Sequence, residues 1–241
     1  MSKFDELWPG GPHFACENSF PLSTDSVLLA AFARTERVRR CVDLGCGAGI
    51  IMTILAERTP GAEFTGIELQ PDWARLCREN LEENGLSPRC SVITGDMRDK
   101  TVLPPAGSFD LVVSNPPYFP EKSGFTAPDE QRATARDERS CTLTDLCAAA
   151  AYLCRWGGNF AIVHRPERLS EIFCAMTSAG IEPKRLRLVQ NTAVSAPNLA
   201  LIEGRRGGNP GLTILPPLVL RSPNGTESDE IRQIYHRSES K

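Results

Sequence analysis

The sequence predicts an α/β fold, a mostly parallel sheet with helices on both faces. Short β-rich runs alternate with helical segments from Arg40 onward, the pattern of strand–helix–strand units. Proline and glycine punctuate that alternation where helices should start and stop. The length, 241 residues, suits one such domain with small additions, and 41% hydrophobic with 24% charged residues is ordinary for a globular chain.

The elements follow in order. "PLSTDSVLLAAFA" (Pro21–Ala33) reads as a Ser/Thr/Asp cap before an apolar helix. "CVDL" (Cys41–Leu44) is the first core strand, and "GIIMTILAER" (Gly49–Arg58) the helix after it, stopped near Pro60-Gly61. "AEFTGIE" (Ala62–Glu68) is the second strand. Pro71 opens the next helix and Gly85 closes it, with Ala74, Cys77 and Leu81 as its apolar stripe. Cys90–Thr94 and Phe109–Ser114 are the third and fourth strands. A helix over Leu143–Trp156 is expected to stop at Gly157-Gly158 before the strand Asn159–His164, where His164 and Arg165 fall at a surface strand end. Arg165–Gly180 is a helix with Pro at its start and Gly at its end. Arg185–Gln190, Leu199–Gly204 and Leu212–Leu220 have no helices between them and are expected to pair antiparallel. The reading is one domain over residues 1–221, with 1–38 as a cap segment and 39–221 as the core. The Pro/Gly-rich opening and the polar tail 222–241 are expected to pack weakly.

Global charge does not advertise a nucleic-acid partner, since the net charge is −3. An RNA partner would need a local basic patch. None of the nine cysteines forms a CxxC pair and no histidine stands at zinc-finger spacing, so reduced core cysteines in a cytoplasmic protein are expected and no metal. The opening has no apolar signal-peptide core, and the apolar runs are too short to cross a bilayer.

"VDLGCGAG" (Val42–Gly49) lies between the first strand and its helix, where Gly45, Gly47 and Gly49 allow a tight turn and close approach of a ligand. The spacing is G-x-G-x-G, with Ile50 where the third glycine of the dinucleotide fingerprint would fall. Glu68 ends the second strand, where a carboxylate can accept both hydroxyls of a ribose. Asp96, after the third strand, can accept from an adenine amine, while Met97 offers its backbone N–H. Polar groups at successive strand ends mark the crevice where open α/β sheets bind ligands.

With these residues the chain resembles the class I S-adenosylmethionine-dependent methyltransferases from Val42 to about His164. The resemblance implies a Rossmann-like, seven-stranded, mostly parallel sheet with an antiparallel C-terminal hairpin. It implies S-adenosylmethionine over the glycine loop, with contacts at Thr24, Asp43, Gly45, Cys46, Gly47, Glu68, Leu69, Asp96, Met97 and Asn115. The fourth strand ends in "SNPPY" (Ser114–Tyr118), which resembles the motif of amino methyltransferases acting on adenine N6 or on a glutamine amide. A conjugated amine is a poor nucleophile because its lone pair is delocalised. Two acceptors aimed at its hydrogens favour the pyramidal form that attacks. The Asn115 side-chain oxygen and the Pro116 carbonyl are those acceptors, Pro117 stiffens the loop, and Tyr118 can stack on a flat base. Ser114 has no role here beyond finishing the strand.

The flanks choose between the two amines. "PLSTDSVLLAAFA" is similar to the segment before the glycine loop in the adenine-N6 methyltransferases of valine tRNA, which makes Ser23, Thr24 and Asp25 cofactor neighbours. "ATARDE", "GGNFAIVHRPERL", "IEPKRLRLV", "LIEGRRGG" and "LTILPPLVL" resemble the Gram-positive branch of that family. The family reads Ala-Arg-His-Glu where this chain has Ala135-Arg136-Asp137-Glu138, so no role of that histidine carries over to Asp137. Five Lys/Arg against two Glu between Ile181 and Gly208, net +3, suggest a phosphate-binding patch. Arg136, Arg165, Lys184, Arg185, Arg205 and Arg206 are the candidate RNA contacts, and the polar loop Phe119–Ser140 reads as a substrate lid or, equally, as a disordered segment. The expected activity is methylation of adenine N6 in tRNA, at adenine 37 of a valine tRNA. Protein-glutamine methyl transfer and a non-catalytic RNA-binding module are the competing readings.

Overall fold

The computed structural model describes residues 4–15, 23–117 and 141–237. A short hairpin of β1 (Phe4–Glu6) and β2 (His13–Ala15) precedes α1 (Thr24–Phe32). The core then runs β3 (Arg40–Leu44), α2 (Ile50–Arg58), β4 (Glu63–Glu68), α3 (Pro71–Glu83), β5 (Cys90–Thr94) and β6 (Phe109–Ser114). After α4 (Leu143–Leu153) come β7 (Cys154–His164), a 3-10 turn, α5 (Leu169–Ser178), β8 (Ile181–Gln190) and β9 (Pro197–Arg206). Two-residue strands β10 (Thr213–Ile214) and β11 (Leu218–Val219) and the helix α6 (Asp229–Ile234) complete it.

The seven long strands of the main sheet lie in the order β5-β4-β3-β6-β7-β9-β8. All neighbours from β5 to β7 are parallel, and β9 runs antiparallel to both β7 and β8. The chain moves outward from β3 to β5 and then returns to β3's other side as β6. The strand order therefore reverses between β3 and β6, which opens a crevice at their C-terminal ends.

Alternation along the strands builds two cores. Leu111, Val113, Ala161 and Val163 face α1, α2 and α3, whereas Val112, Phe160 and Ile162 face α4 and α5. At the crevice the β3–β6 ladder stops at Asp43 opposite Val113. There the Ser114 hydroxyl donates to the Leu44 carbonyl at 2.7 Å, so a side chain continues the pairing where the backbones diverge. Ser114 thus holds the mouth of the crevice, a role the sequence did not suggest.

Several expectations change. Gly157-Gly158 do not stop a helix. α4 ends at Leu153, and the glycines form a bulge inside β7, where Phe109 pairs with Cys154 but Leu111 pairs with Asn159. Gly157 has φ of 76°, and a Cβ at Gly158 would sit 2.9 Å from the Asp110 carbonyl oxygen, so glycine is required to bend the strand this tightly. The last strand pieces are not antiparallel. β9 ends beside the start of β8, and the chain turns through Gly207 and Gly211 to run up β8's outer edge in β8's own direction. Pro216 and Pro217 split that edge into β10 and β11.

Among the described residues neither end packs weakly. Asn80 and Asn84, one turn apart on α3, bind β2 through Ala15 N–H (2.8 Å) and His13 N–H (2.8 Å). Asn80 also donates to the Ala48 carbonyl (2.9 Å), which ties the hairpin to the glycine loop's helix. At the other end Ile231 of α6 is buried in the core, and Glu230 takes a two-pronged ion pair from Arg187 at 2.6 and 2.8 Å. His164 is likewise no surface residue. It is buried, accepts from the Arg165 N–H at 2.8 Å, and burial next to Arg168 pushes its pKa down to about 4. The loop read as a lid lies outside the described residues.

Candidate active site

The glycine loop leaves β3 at the crevice. Gly45 and Gly47 adopt φ of 72° and 52°, which side chains rarely tolerate. A Cβ on Gly47 would meet nothing within 4 Å, and one on Gly45 would meet Met97 Cε at 4.0 Å. The space over these two residues is therefore open to a ligand. Gly49 (φ 85°) serves packing instead, because a Cβ there would strike Cys77 Sγ at 2.6 Å. Cys46 is buried under the loop with its sulfur 3.9 Å from that of Cys77.

Two acidic side chains stand at the floor. Glu68 accepts from Gly47 N–H at Oε2 and from Gln70 N–H at Oε1, both at 2.9 Å. These bonds fix the carboxylate and leave each oxygen a second lone pair for a diol. Asp43 is 1% exposed, and neither of its oxygens has a hydrogen-bond partner among the described residues. Burial and then repulsion from Glu68 push its pKa up to about 8. A buried carboxyl without donors suits a ligand bringing N–H groups and positive charge. S-adenosylmethionine carries both, an ammonium and a sulfonium, so the acidic floor and the open loop fit it.

Asp96 lies beyond β5. Arg98 grips its carboxylate through Nε (3.0 Å to both oxygens) and Nη2 (2.6 Å), and its N–H adds a bond at 2.9 Å. These bonds hold the Asp96 carboxyl below the usual range, ionised and able to accept. Arg98 was not evident from the sequence, although an Asp-x-Arg spacing permits this local fork. Leu69, half-exposed after Glu68, and Met97, partly buried above Gly45, add apolar surface at the same rim.

Asn115 extends from β6 into the crevice. Its Nδ2 donates to Ser26 Oγ on α1 at 3.0 Å, and Ser26 is buried. The amide N–H₂ is thereby turned toward α1, which directs its carbonyl oxygen the other way. Ser26 was missed in the sequence, where it reads as one more polar residue of the Ser/Thr/Asp cap before the apolar run Val27–Ala33. Pro116 and Pro117 follow, partly buried and exposed. Tyr118 and Arg136 lie outside the described residues, as does Asp137.

The helix separates the remaining candidates. Ser23 takes the N-cap position of α1 without a side-chain cap bond, and Asp25 lies in the first turn. Thr24 lines a cavity of about 390 Å³ together with Tyr235, Asn191, Arg221 and Arg237. Two residues along a helix is more than half a turn, so Thr24 and Ser26 project from different faces of α1.

The expected basic patch does not border the crevice. Arg205 pairs with Asn159 and Arg206 with Ile181, at the N-terminal end of β7 and β8. Five strand steps separate Asn159 from His164, roughly 17 Å. Only Arg165 of the candidate RNA contacts described here lies at the catalytic end. A charge count along the chain ignores strand direction, which is why it misplaced the patch. Two members are also structural. Arg185 donates to the buried Glu203 at 3.0 Å and stacks 4.4 Å from the Phe32 ring centre. Arg206 bonds the Cys154 carbonyl at 2.5 Å, at the end of α4. Lys184 bonds the Asn209 carbonyl at 3.0 Å from a partly exposed position, and Arg205 is exposed. Arg185→Ala is accordingly expected to cost about 3 kcal/mol of stability by leaving Glu203 under-paired in the interior. Chemical denaturation measures it; a stable variant with impaired RNA binding would reverse this assignment.

Among the described residues no helix is long and apolar enough to cross a membrane, and no group of three His, Cys, Asp or Glu side chains could hold a metal. The chain matches known proteins in sequence and in fold. The model of the methyltransferase small domain matches residues 22–169. A tRNA1(Val) (adenine(37)-N6)-methyltransferase of Porphyromonas gingivalis is 34% identical over 190 residues, 76% of this chain and 74% of that protein. One from Aeromonas hydrophila is 32% identical over 214 residues, 88% and 87% of the two chains. Both relatives come from Gram-negative bacteria and lend no support to the Gram-positive branch. In fold, an Agrobacterium tumefaciens protein described as a predicted O-methyltransferase superposes with TM-score 0.74 at 23% identity, over 89% of this chain and 97% of that one. The sheet order, the glycine loop and these matches agree: the chain belongs to the methyltransferase small domain family and, within it, to the family of the tRNA1(Val) (adenine(37)-N6)-methyltransferases.

Proposed function

We propose that this chain, in the cytoplasm, transfers the methyl group of S-adenosylmethionine to N6 of an adenine in tRNA, adenine 37 of tRNA1(Val) being the position named in its relatives. The carrying observation is the Asn115 amide, turned by Ser26 so that its oxygen faces away from α1 beside the open glycine loop. S-adenosylmethionine supplies an electrophilic methyl group on a sulfonium. The backbone at Gly45, Cys46 and Gly47 would cradle it, Glu68 would take its ribose hydroxyls, and Asp43 its positive charge. Asp96, Met97 and Leu69 would border its adenine ring.

The protein's own part is to orient the amine. The Asn115 carbonyl oxygen accepts one N6 hydrogen and the Pro116 carbonyl the other. Both acceptors pull the nitrogen toward the pyramidal form, whose lone pair is localised. The N6–methyl bond forms as the methyl–sulfur bond breaks, leaving a neutral thioether and a cationic N6, whose proton is then released to water. Positioning supplies most of the acceleration. Tyr118 is proposed to stack on the base, which must leave its own stack at a cost of about a few kcal/mol. Arg165 is proposed as a phosphate contact at the catalytic rim.

The test is incubation with labelled donor and unmodified tRNA transcripts, followed by nucleoside analysis. N6-methyladenosine at position 37 of tRNA1(Val) is expected. Label on a protein glutamine, with none on RNA, would overturn the substrate.

A further inference from the structure

The bulge in β7 does more than bend a strand. It pushes Trp156 out until 75% of its surface is exposed, the most of the three tryptophans, since Trp8 is buried and Trp73 half-buried. The indole lies against the Gly207 backbone, for a Cβ on Gly207 would fall 2.2–2.6 Å from three ring atoms. One ring face is therefore covered by backbone while the residue as a whole remains open to solvent.

Two arginines stand beside the adjoining Gly157. The Arg205 and Arg155 guanidinium groups both flank Gly157, at 3.4 and 3.9 Å from where its Cβ would be. Arg155 shares Asp110 with the N–H groups of Arg39 and Arg40. Arg39 and Arg205 are exposed, and neither side chain has a carboxylate partner among the described residues; Glu182 stands opposite Arg205 in register yet forms no ion pair with it. Asp110 meets the Arg155 charge at 2.5 Å, whereas the exposed Arg205 beside it has no such partner among the described residues, so a phosphate there supplies the missing counter-charge. An exposed aromatic ring beside paired cations is the composition of a single-strand stacking site.

We propose that this surface binds a stretch of RNA remote from the modified nucleotide, with Trp156 stacked on an unpaired base and Arg39, Arg155 and Arg205 on phosphates. This rests on the reading above that the substrate is RNA. The surface lies at the opposite end of the strands from Asn115, six steps along β6 or roughly 20 Å away. An RNA reaching both must be larger than the loop holding its target, so the surface favours intact tRNA over a short hairpin.

The experiment follows Trp156 fluorescence while the full chain is titrated with unmodified tRNA transcript. Quenching that is absent in Trp156→Phe is expected. Trp156→Ala should raise KM for tRNA about tenfold, and Trp156→Phe, which keeps a stacking ring, should recover most of it. Arg205→Ala should lower the slope of log affinity against log salt by about one. Unchanged affinity for S-adenosylmethionine certifies that the variants fold. Absence of quenching, or wild-type tRNA affinity and salt slope in the variants, overturns the proposal. So does a dimer that Trp156→Ala dissociates in sedimentation, which would assign the surface to a second copy. If tRNA quenches Trp156 but receives no methyl group, the surface stands and the methylation reading fails.

Discussion

Asn115→Ala is expected to lower methyl transfer to tRNA by about two to three orders of magnitude while donor affinity stays within about twofold of wild type. The amide contributes an acceptor to an amine that becomes more pyramidal as it attacks. Its effect therefore belongs to kcat rather than to KM. Ser26→Ala separates orientation from chemistry. The Ser26 hydroxyl accepts from the Asn115 N–H₂, and its removal weakens the hold that keeps those donors away from an amine that is itself a donor. A loss of about tenfold in kcat is expected, with KM for tRNA unchanged and recovery in Ser26→Thr, which keeps the hydroxyl. Single-turnover rates and donor titrations separate these effects. If Asn115→Ala loses donor binding and thermal stability in parallel with activity, the residue shapes the loop and does not act on the amine.

The parts of this molecule legible in its sequence are those where one residue's type implies its own environment. Glycines with positive φ at 45, 47 and 49, a carboxylate at each of two strand ends, and prolines after Asn115 all announce themselves locally. What stayed hidden depends on partners far apart in the chain. Ser26 and Asn115 are 89 residues apart, and nothing in either flank marks the bond. Arg185 reads as a surface cation until Glu203 and the Phe32 ring enclose it. The basic stretch 181–208 looks continuous, but β8 and β9 run in opposite directions and return its two ends to the same end of the strands, away from the crevice. Asn80 and Asn84 look like solvated positions on α3, and only the docked hairpin shows them pairing with backbone. The Gly157-Gly158 pair carries the further difficulty that the same residues suit a helix end or a bulge; tertiary pairing with β6 decides for the bulge.

Asp43→Asn is expected to remove the acid limb of donor binding. The unfolded carboxyl titrates in the ordinary range near 4, whereas the folded one is raised to about 8 by burial and by Glu68. Between those values the free native protein holds a proton that the unfolded chain lacks, so its stability falls as pH rises from about 4 toward 8 and is level above. A cationic donor favours the ionised form and must expel that proton. Apparent affinity for S-adenosylmethionine should therefore improve as pH rises from 6 toward 8, by close to tenfold per unit at the acid end. The donor's own α-amino group titrates near 8, so any weakening at higher pH belongs to the ligand and persists in the variant. Asp43→Asn should bind more weakly at pH 8, show a flat profile from 6 to 7.5, and in the free state gain stability over wild type as pH rises. Calorimetry in two buffers of different ionisation enthalpy reads the proton directly, with about one released at pH 6.5 by wild type and none by Asp43→Asn. Equal proton release by both proteins would mean that Asp43 does not meet the donor's charge, and the orphaned carboxyl at the crevice floor would need another partner.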